Sequence, residues 1–434
     1  MRILIYSMTF KPDLIGVGKY SGEMAEWLAG QGHEIRVIAA PPFYPDWQIG
    51  GGYSGWRYRR ENLDCMNVLR CPIWVPAQPS GLKRLMHLLS FALTSLPCVL
   101  VQAAWRPDVV WVVEPTFLAF PAALLLTWLT GAKSWAHVQD LEIDAAFDLG
   151  ILPSGPRRCV LAVERFLMKR FDRVSTISEN MLGRLRDKGV PASRLVLFPN
   201  WIDTETIYPL ADSSQLRAEL GIPNDKIVAL YSGNMGAKQG FEVLIDAVRR
   251  LADHPKLHFV LCGQGPTRAI LLENFRSTPN VHLLPLQPLH RLNDLLNLAD
   301  LHLLPQHPDA ADLVMPAKLL GMFASGRPVV ATARSGTQLA KAVDGRGIVV
   351  PPDDAAAIVS AVEQLAGNPA LLRDLGVNAR CFAVMHMHSV SILPRFQRSL
   401  LALVGPEATQ RALLDKVEPA AESAPPDKSA VHHS

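Results

Sequence analysis

The chain twice builds the same opening: a short apolar run, a glycine-broken loop, then apolar residues at helical spacing. The first copy reads "RILIY", then Gly16-Val17-Gly18, then Tyr20, Met24, Trp27 and Leu28. The second reads "KIVALY", then Gly233, Asn234 and Lys238, then Phe241, Leu244, Ile245, Val248 and Leu251 on one face. "EIRVIAA", "DVVWVVE", "KSWAHV", "RVSTIS" and "RLVLFPN" read as further strands after the first copy. "LHFVLCG", "NVHLLPL", "LHLLP" and "PVVAT" follow the second, with a helix at "RAILLENF". Apolar runs alternating with helical patterns imply parallel sheets covered on both faces. The expected class is α/β, with two doubly wound domains.

The length points to two or three units, because 434 residues exceed what one compact core holds. Periodicity breaks at "PNWIDTETIYPLADSS", which places a linker at 203–222 between domains at 1–202 and 223–385. Residues 386–404 read as a C-terminal helix. Residues 405–434, rich in Pro, Ala and Ser, read as a disordered tail.

With 49% hydrophobic and 19% charged residues the chain is ordered and globular. A net charge of +3 without a basic block argues against nucleic acid. Six cysteines without a C-x-x-C pair read as reduced cytosolic thiols, and His386-x-His388 lacks a third metal ligand. The start "ILIY" is short and meets Lys11-Pro12-Asp13, so no secretory signal is expected. "LMHLLSFALTSLPCVLVQAA" (85–104) approaches the roughly twenty apolar residues of a membrane span but carries His87, Pro97 and Gln102. Buried helices fit best, then an interfacial helix flanked by Lys83, Arg84 and Arg106, then a true span.

A dinucleotide fits poorly. Gly16-Val17-Gly18 is followed by Ser21 where a third glycine belongs, and the next strand ends without an acid. Gly263-Gln264-Gly265 is followed by Arg268 at that place, and no P-loop occurs. Glycine turns still favour an anion through their backbone N–H groups, and Lys238 adds a charge beside one of them. Each turn is equally an ordinary α/β connection.

Taken in order, the pieces resemble the retaining GT-B glycosyltransferases of family 4 over about residues 1–400. "GVGKYSGEMAEWLAGQGHEIRVIAAPP", "HVQD", "STISENM", "FPNWID", "YSGNMGAKQGFEVLIDA", "VLCGQGP" and "MPAKLLGMFASGRPVVAT" carry that likeness. The "RCP", "LKRL", "SFA" and "KQG" stretches are similar to fucosyltransferases of colanic-acid-type exopolysaccharide synthesis. The resemblance implies two Rossmann-like domains facing across a cleft, with the C-terminal helix returning to the first. It implies a cytoplasmic enzyme, peripheral to the inner membrane. It implies no cofactor, with a nucleotide sugar, GDP-fucose, as co-substrate and a lipid-linked glycan as acceptor.

The same resemblance assigns roles. Gly16, Gly18, Gly233, Asn234, Lys238, Gly263, Gly265, Pro316 and Lys318 would hold the donor, with Lys238 neutralising the departing diphosphate. Losing one such electrostatic donor typically costs about 2.7–4 kcal/mol of transition-state stabilisation. His137, Asp140 and Lys238 are the catalytic candidates, with Glu142 and Asp144 weaker ones. His137 is equally a structural histidine and Asp140 equally a helix cap. Two departures stand out. The family's Arg is replaced by Asn234, and its two glutamates are replaced by Leu313 and Gly321. Lys318 then reads as a replacement phosphate or sugar ligand, or as a solvated surface lysine. Asp309 and Asp312 are possible donor-hydroxyl contacts.

The loop "PPFYPDWQIGGGYSGWRY" offers Tyr44, Trp47 and Trp56 as acceptor-binding aromatics, or as core packing beneath a long loop. Rival functions are a transferase using a UDP-linked N-acetyl sugar and a non-catalytic scaffold subunit of the same fold. A nicotinamide oxidoreductase is more distant.

Overall fold

The computed structural model describes residues 1–13, 16–44, 46–78, 81–114, 117–141, 143–144, 147, 155, 157–212, 214–236, 239–308 and 316–405. The first domain carries β1 (Arg2–Tyr6), β2 (Glu34–Ala39), β3 (Arg59–Leu63), β4 (Met66–Arg70), β5 (Val109–Glu114), β6 (Lys133–Val138), β7 (Arg173–Thr176) and β8 (Leu195–Leu197). They form one sheet in the order β3-β4-β2-β1-β5-β6-β7-β8. Every pairing is parallel except β3 with β4. The second domain carries β9 (Ile227–Asn234), β10 (Leu257–Gln264), β11 (Val281–Leu284), β12 (Leu301–Leu304), β13 (Val329–Thr332) and β14 (Gly347–Val350). These make a wholly parallel sheet ordered β11-β10-β9-β12-β13-β14.

Central strands such as "VVWVVE" are buried at every position, as a sheet covered on both faces requires. The β3–β4 hairpin carries no such signal. "RRENL" is a solvated edge strand whose charges discourage further pairing, so its sequence lacks alternation. Helix starts are locally encoded. Ser178 caps Glu179–Asp187 by accepting from the Met181 N–H at 3.3 Å, and Thr337 and Asp354 cap two later helices likewise.

Helix α1 (Gly16–Gly30) follows β1, and α2 (Gly81–Val101) connects β4 to β5. Only one face of α2 is buried, through His87, Phe91, Ser95 and Val99 at every fourth position. Leu82, Leu85, Met86, Leu89 and Leu93 face solvent, as do Leu125, Trp128 and Leu129 of α3 (Phe120–Thr130) that packs beside it. By length and composition α2 with its extension to Ala104 is able to cross a membrane, yet it lies against the sheet. Sequence reading expected buried helices there; the second, apolar face is open.

The chain's last described helix, Ser389–Val404, begins after a π turn at Ala383–Met387, later than the sequence boundary of 386. It returns to the first domain. Phe396 stacks on Phe198 with ring centroids 4.2 Å apart and meets Trp111 edge-on at 4.7 Å. One apolar cluster consequently runs from Ile3 and Trp111 through Trp201 and Ile207 to Phe323 and Leu400. Ile207, Leu216 and Ile222 of the expected linker are buried, and Arg380 donates to the carbonyls of Ile207 and Thr204 at 2.8 and 2.9 Å. The connection is packed rather than loose.

Candidate active site

In the second sheet the chain leaves β9 toward β10 and β11, then returns to β12 on the other flank. The loops after β9 and β12 therefore frame a crevice at the strand ends, the usual ligand position in such sheets. Backbone contact shapes the floor. Gly233 lies at φ 130° and Gly265 at φ 141°, conformations that side-chain-bearing residues avoid. A Cβ on Gly263 would overlap the Gly233 carbonyl oxygen, and one on Gly265 would meet the Met235 carbonyl at 2.5 Å. Met235 N–H donates to Gln264 O at 2.7 Å. Two glycine turns distant in sequence thus interlock into one platform.

Lys318 reaches this platform from the other side of the crevice, at the start of the helix Lys318–Ala324. Its Nζ donates to the Tyr231 hydroxyl at 2.9 Å and lies 4.3 Å from that ring's centroid. A Cβ on Gly233 would stand 3.5 Å from the same nitrogen. No carboxylate pairs with Lys318 among the described residues. Burial lowers the ammonium to about 7. A desolvated ammonium without a counter-ion, beneath a glycine turn, favours an incoming anion. Pro316 sets the turn by accepting from the Leu319 N–H at 3.0 Å. Tyr231 escaped sequence reading because its hydroxyl is hidden inside an apolar run. It donates onward to the Asn234 carbonyl, and burial raises its pKa so that it remains a phenol.

Lys238, Asp309, Asp312 and Leu313 lie outside the described residues, as do Glu142 and the tail from residue 406. Gly321 is described. A Cβ there would stand 3.1 Å from Leu296 Cδ1, so the helix packs closely at the position where the resemblance implies a carboxylate.

In the first domain Gly16 opens α1 at φ 60°, and Gly18 is buried in its first turn. His137 is the penultimate residue of β6 but offers no free nitrogen. Nδ1 shares a hydrogen bond with Ser175 Oγ at 2.8 Å, Nε2 lies 2.9 Å from the Gln139 amide, and the ring stacks on Trp111 at 5.0 Å. Burial lowers its pKa to about 3, so the imidazole is neutral. This is a positioning network, extended by the Gln139 to Asn200 bond at 3.1 Å, which the sequence did not disclose. Asp140 sits half-buried at the bend after β6. Asp144 binds Lys188 at 2.6 Å, and Lys188 also holds buried Glu164. That triad serves structure.

The aromatic loop divides. Trp47, with φ 52°, packs edge-on against Phe43 at 5.9 Å and lies 5.3 Å from His87, with the Arg84 guanidinium 5.5 Å from its ring. Tyr44 is exposed beside it. Trp56 is 80% exposed and stacks on no ring among the described residues. Tyr58 ties that end of the loop to α2 through the Thr94 carbonyl at 2.8 Å.

Residues 16–201 match the family described as glycosyl transferase 4-like domain, and residues 226–368 the one described as glycosyl transferases group 1. Over 375 residues the chain is 43% identical to WcaI of Escherichia coli (strain K12), assigned there to colanic acid biosynthesis as a glycosyl transferase. That alignment covers 84% of this chain and 92% of WcaI. The chain belongs to this glycosyltransferase family. Its fold is the GT-B fold. Sucrose-phosphate synthase from Thermosynechococcus elongatus superposes with TM-score 0.71 at 20% identity, over 96% of this chain and 99% of that one. Anabaena HepE, in complex with UDP and glucose, superposes with TM-score 0.66 at 17% identity, over 92% and 99% of the two chains.

In this glycosyltransferase the two lobes also touch through polar groups. Asn180 donates to the Gly336 carbonyl at 3.4 Å and accepts from Lys341 Nζ at 3.0 Å. The Asn180 N–H also faces Gln338 Oε1 at 3.4 Å. These contacts and the apolar cluster fix the lobes in register.

Proposed function

We propose that the chain is a retaining glycosyltransferase of exopolysaccharide assembly, moving L-fucose from GDP-fucose onto a lipid-linked oligosaccharide. The observation that carries this reading is the unpaired Lys318 ammonium beneath the interlocked glycine turns, in a chain 43% identical to WcaI. Gly233, Asn234, Gly263 and Gly265 line the diphosphate, Lys318 supplies positive charge, and Lys238 is assigned the same task. Charge developing on the departing diphosphate is thereby stabilised by donors and a cation held in place before it forms. His137 acts through its neutral network, holding Gln139 and Asn200 toward the sugar.

The open apolar face of α2 and α3 supports attachment to the membrane as part of this reading. Leu82, Leu89, Leu93 and Trp128 would enter the lipid boundary, while Lys83 and Arg84 meet anionic headgroups. Exposed Trp56 suits the interface between lipid and water better than a sugar pocket.

A second reading has one observation in its favour. With Gly321 in the ribose-side position, the chain lacks a carboxylate there and would bind nucleotide or glycan as a scaffold subunit. A melt panel with GDP, UDP, ADP and NAD tests binding first, since ligand at a hundred times its dissociation constant adds about 2.7 kcal/mol of stability. Incubation with GDP-fucose and a lipid-linked acceptor tests turnover. Stabilisation by GDP together with fucosyl transfer supports the first reading. A GDP shift without transfer or hydrolysis leaves the scaffold, a UDP shift moves the donor assignment, and no shift sinks both.

A further inference from the structure

The first sheet has its own switch point. From β1 the chain runs to β2 on one flank, and later returns to β5 on the other. The loop after β1 therefore borders a ligand position at the strand ends. Asp13 lies in that loop. It is only 6% exposed, and no hydrogen bond or ion pair holds its carboxyl among the described residues. Its side chain packs against the first turn of α1. A Cβ on Gly18 would stand 2.7 Å from Asp13 Cβ and 3.4 Å from its Oδ2, so glycine is what admits the carboxyl there.

The neighbouring cations are committed elsewhere. Arg70 is fully buried, its Nε on Glu61 at 2.6 Å and its two terminal nitrogens on the carbonyls of Ala40 and Lys11. The Lys11 ammonium pairs with Glu26. Burial raises the Asp13 carboxyl to about 7, with only the field of Arg70 opposing it. A buried carboxyl without a partner lowers stability, and such groups are found where a ligand completes them. Arg70 also lies 5.7 Å from the ring of Tyr53, which belongs to the aromatic loop at 41–58. Asp13 thus stands on the side of the first domain that this loop covers.

We infer that Asp13 is an acceptor-positioning residue, its carboxyl taking a hydrogen bond from a hydroxyl of the sugar that receives the transferred group. This rests on the transferase reading above. It adds a specificity determinant in the first lobe, separate from the diphosphate platform of the second.

The test uses the full chain as Asp13→Asn and Asp13→Leu, with n-octyl β-D-glucoside and n-octyl β-D-galactoside as acceptor probes. The expected variants melt at the wild-type temperature or above it and keep the full GDP-induced melt shift. They hydrolyse GDP-fucose at the wild-type rate, while the KM for the glycoside rises about tenfold or more. A lower melting temperature in both variants would make Asp13 structural. An unchanged glycoside KM, or a rise in the GDP-fucose KM instead, would equally overturn the assignment. If wild type turns over no GDP-fucose, the transferase reading fails by itself. Calorimetric titration of the GDP-loaded protein with the glycosides then decides: binding lost only in the variants supports Asp13, and equal or absent binding removes it.

Discussion

Lys318 Nζ sits 2.9 Å from the Tyr231 hydroxyl, joining the helix after β12 to β9 across the mouth of the second domain's crevice. The pair places an ammonium and a phenol beside the glycine turns, where neither finds a carboxylate among the described residues. From this relationship the behaviour of the donor site with pH follows.

With its ammonium lowered to about 7, free Lys318 loses its proton as the solution becomes alkaline. A bound diphosphate stabilises the charged form, so binding above pH 7 takes up a proton. Affinity for GDP-fucose should therefore fall with rising pH, by up to about tenfold per unit above 7. The nucleotide sugar is the suitable probe because its diphosphate ester does not titrate there. Lys318→Met should bind more weakly at pH 6.5 and show little pH dependence. Titrations at pH 6.5, 7.5 and 8.5 check this, and identical slopes for the two proteins would remove Lys318 from the anion site.

Gly263→Ala should disturb the donor platform. The new methyl group meets the Gly233 carbonyl oxygen, which belongs to a paired strand and must shift. Overpacking of this kind costs about 1–3 kcal/mol. The GDP-induced melt shift should shrink as well as the melting temperature. A variant that melts lower but binds GDP fully would show that the glycine turns serve packing alone.

Phe396→Ala tests how the lobes are held. The ring is buried between Phe198, Trp111 and Trp135, and removing such a side chain costs about 3–5 kcal/mol. Urea unfolding should report that loss. A cost below about 1 kcal/mol would mean that the returning helix contributes little to the shared core.

Acid should destabilise the fold earlier than carboxylate titration alone. His137 and His302 are buried neutral, each lowered to about 3. Between about pH 6.5 and 3 the unfolded chain binds protons that the folded chain refuses. Stability is therefore complete above pH 6.5 and is lost as pH falls, by up to about 1.4 kcal/mol per unit for each ring. Asp13 works oppositely, since its raised pKa adds stability as pH falls below about 7. Melts of Asp13→Asn at pH 7.5, 6 and 5 isolate the histidines. A flat profile in that background would show that these rings charge freely in place.

The sequence alone determined the two-domain α/β plan, because buried parallel strands need continuous apolar runs and their helices need one apolar stripe each. It also located both glycine turns and Lys318, whose residue types are informative by themselves. It had no means of showing that Gly233 and Gly263 interlock, or that Lys318 rests on Tyr231, since these pairs are joined only by strand register and crossover topology. The same limit hid the β3–β4 hairpin, an edge whose charged residues follow solvent rather than a core. In the sequence Asp13 only marks where the apolar start ends; packing against Gly18 and the prior commitment of Arg70 leave it buried and without a partner among the described residues. Periodicity encodes which face of a segment is buried; which groups then meet, and which are left wanting a partner, is settled only when distant segments share one volume.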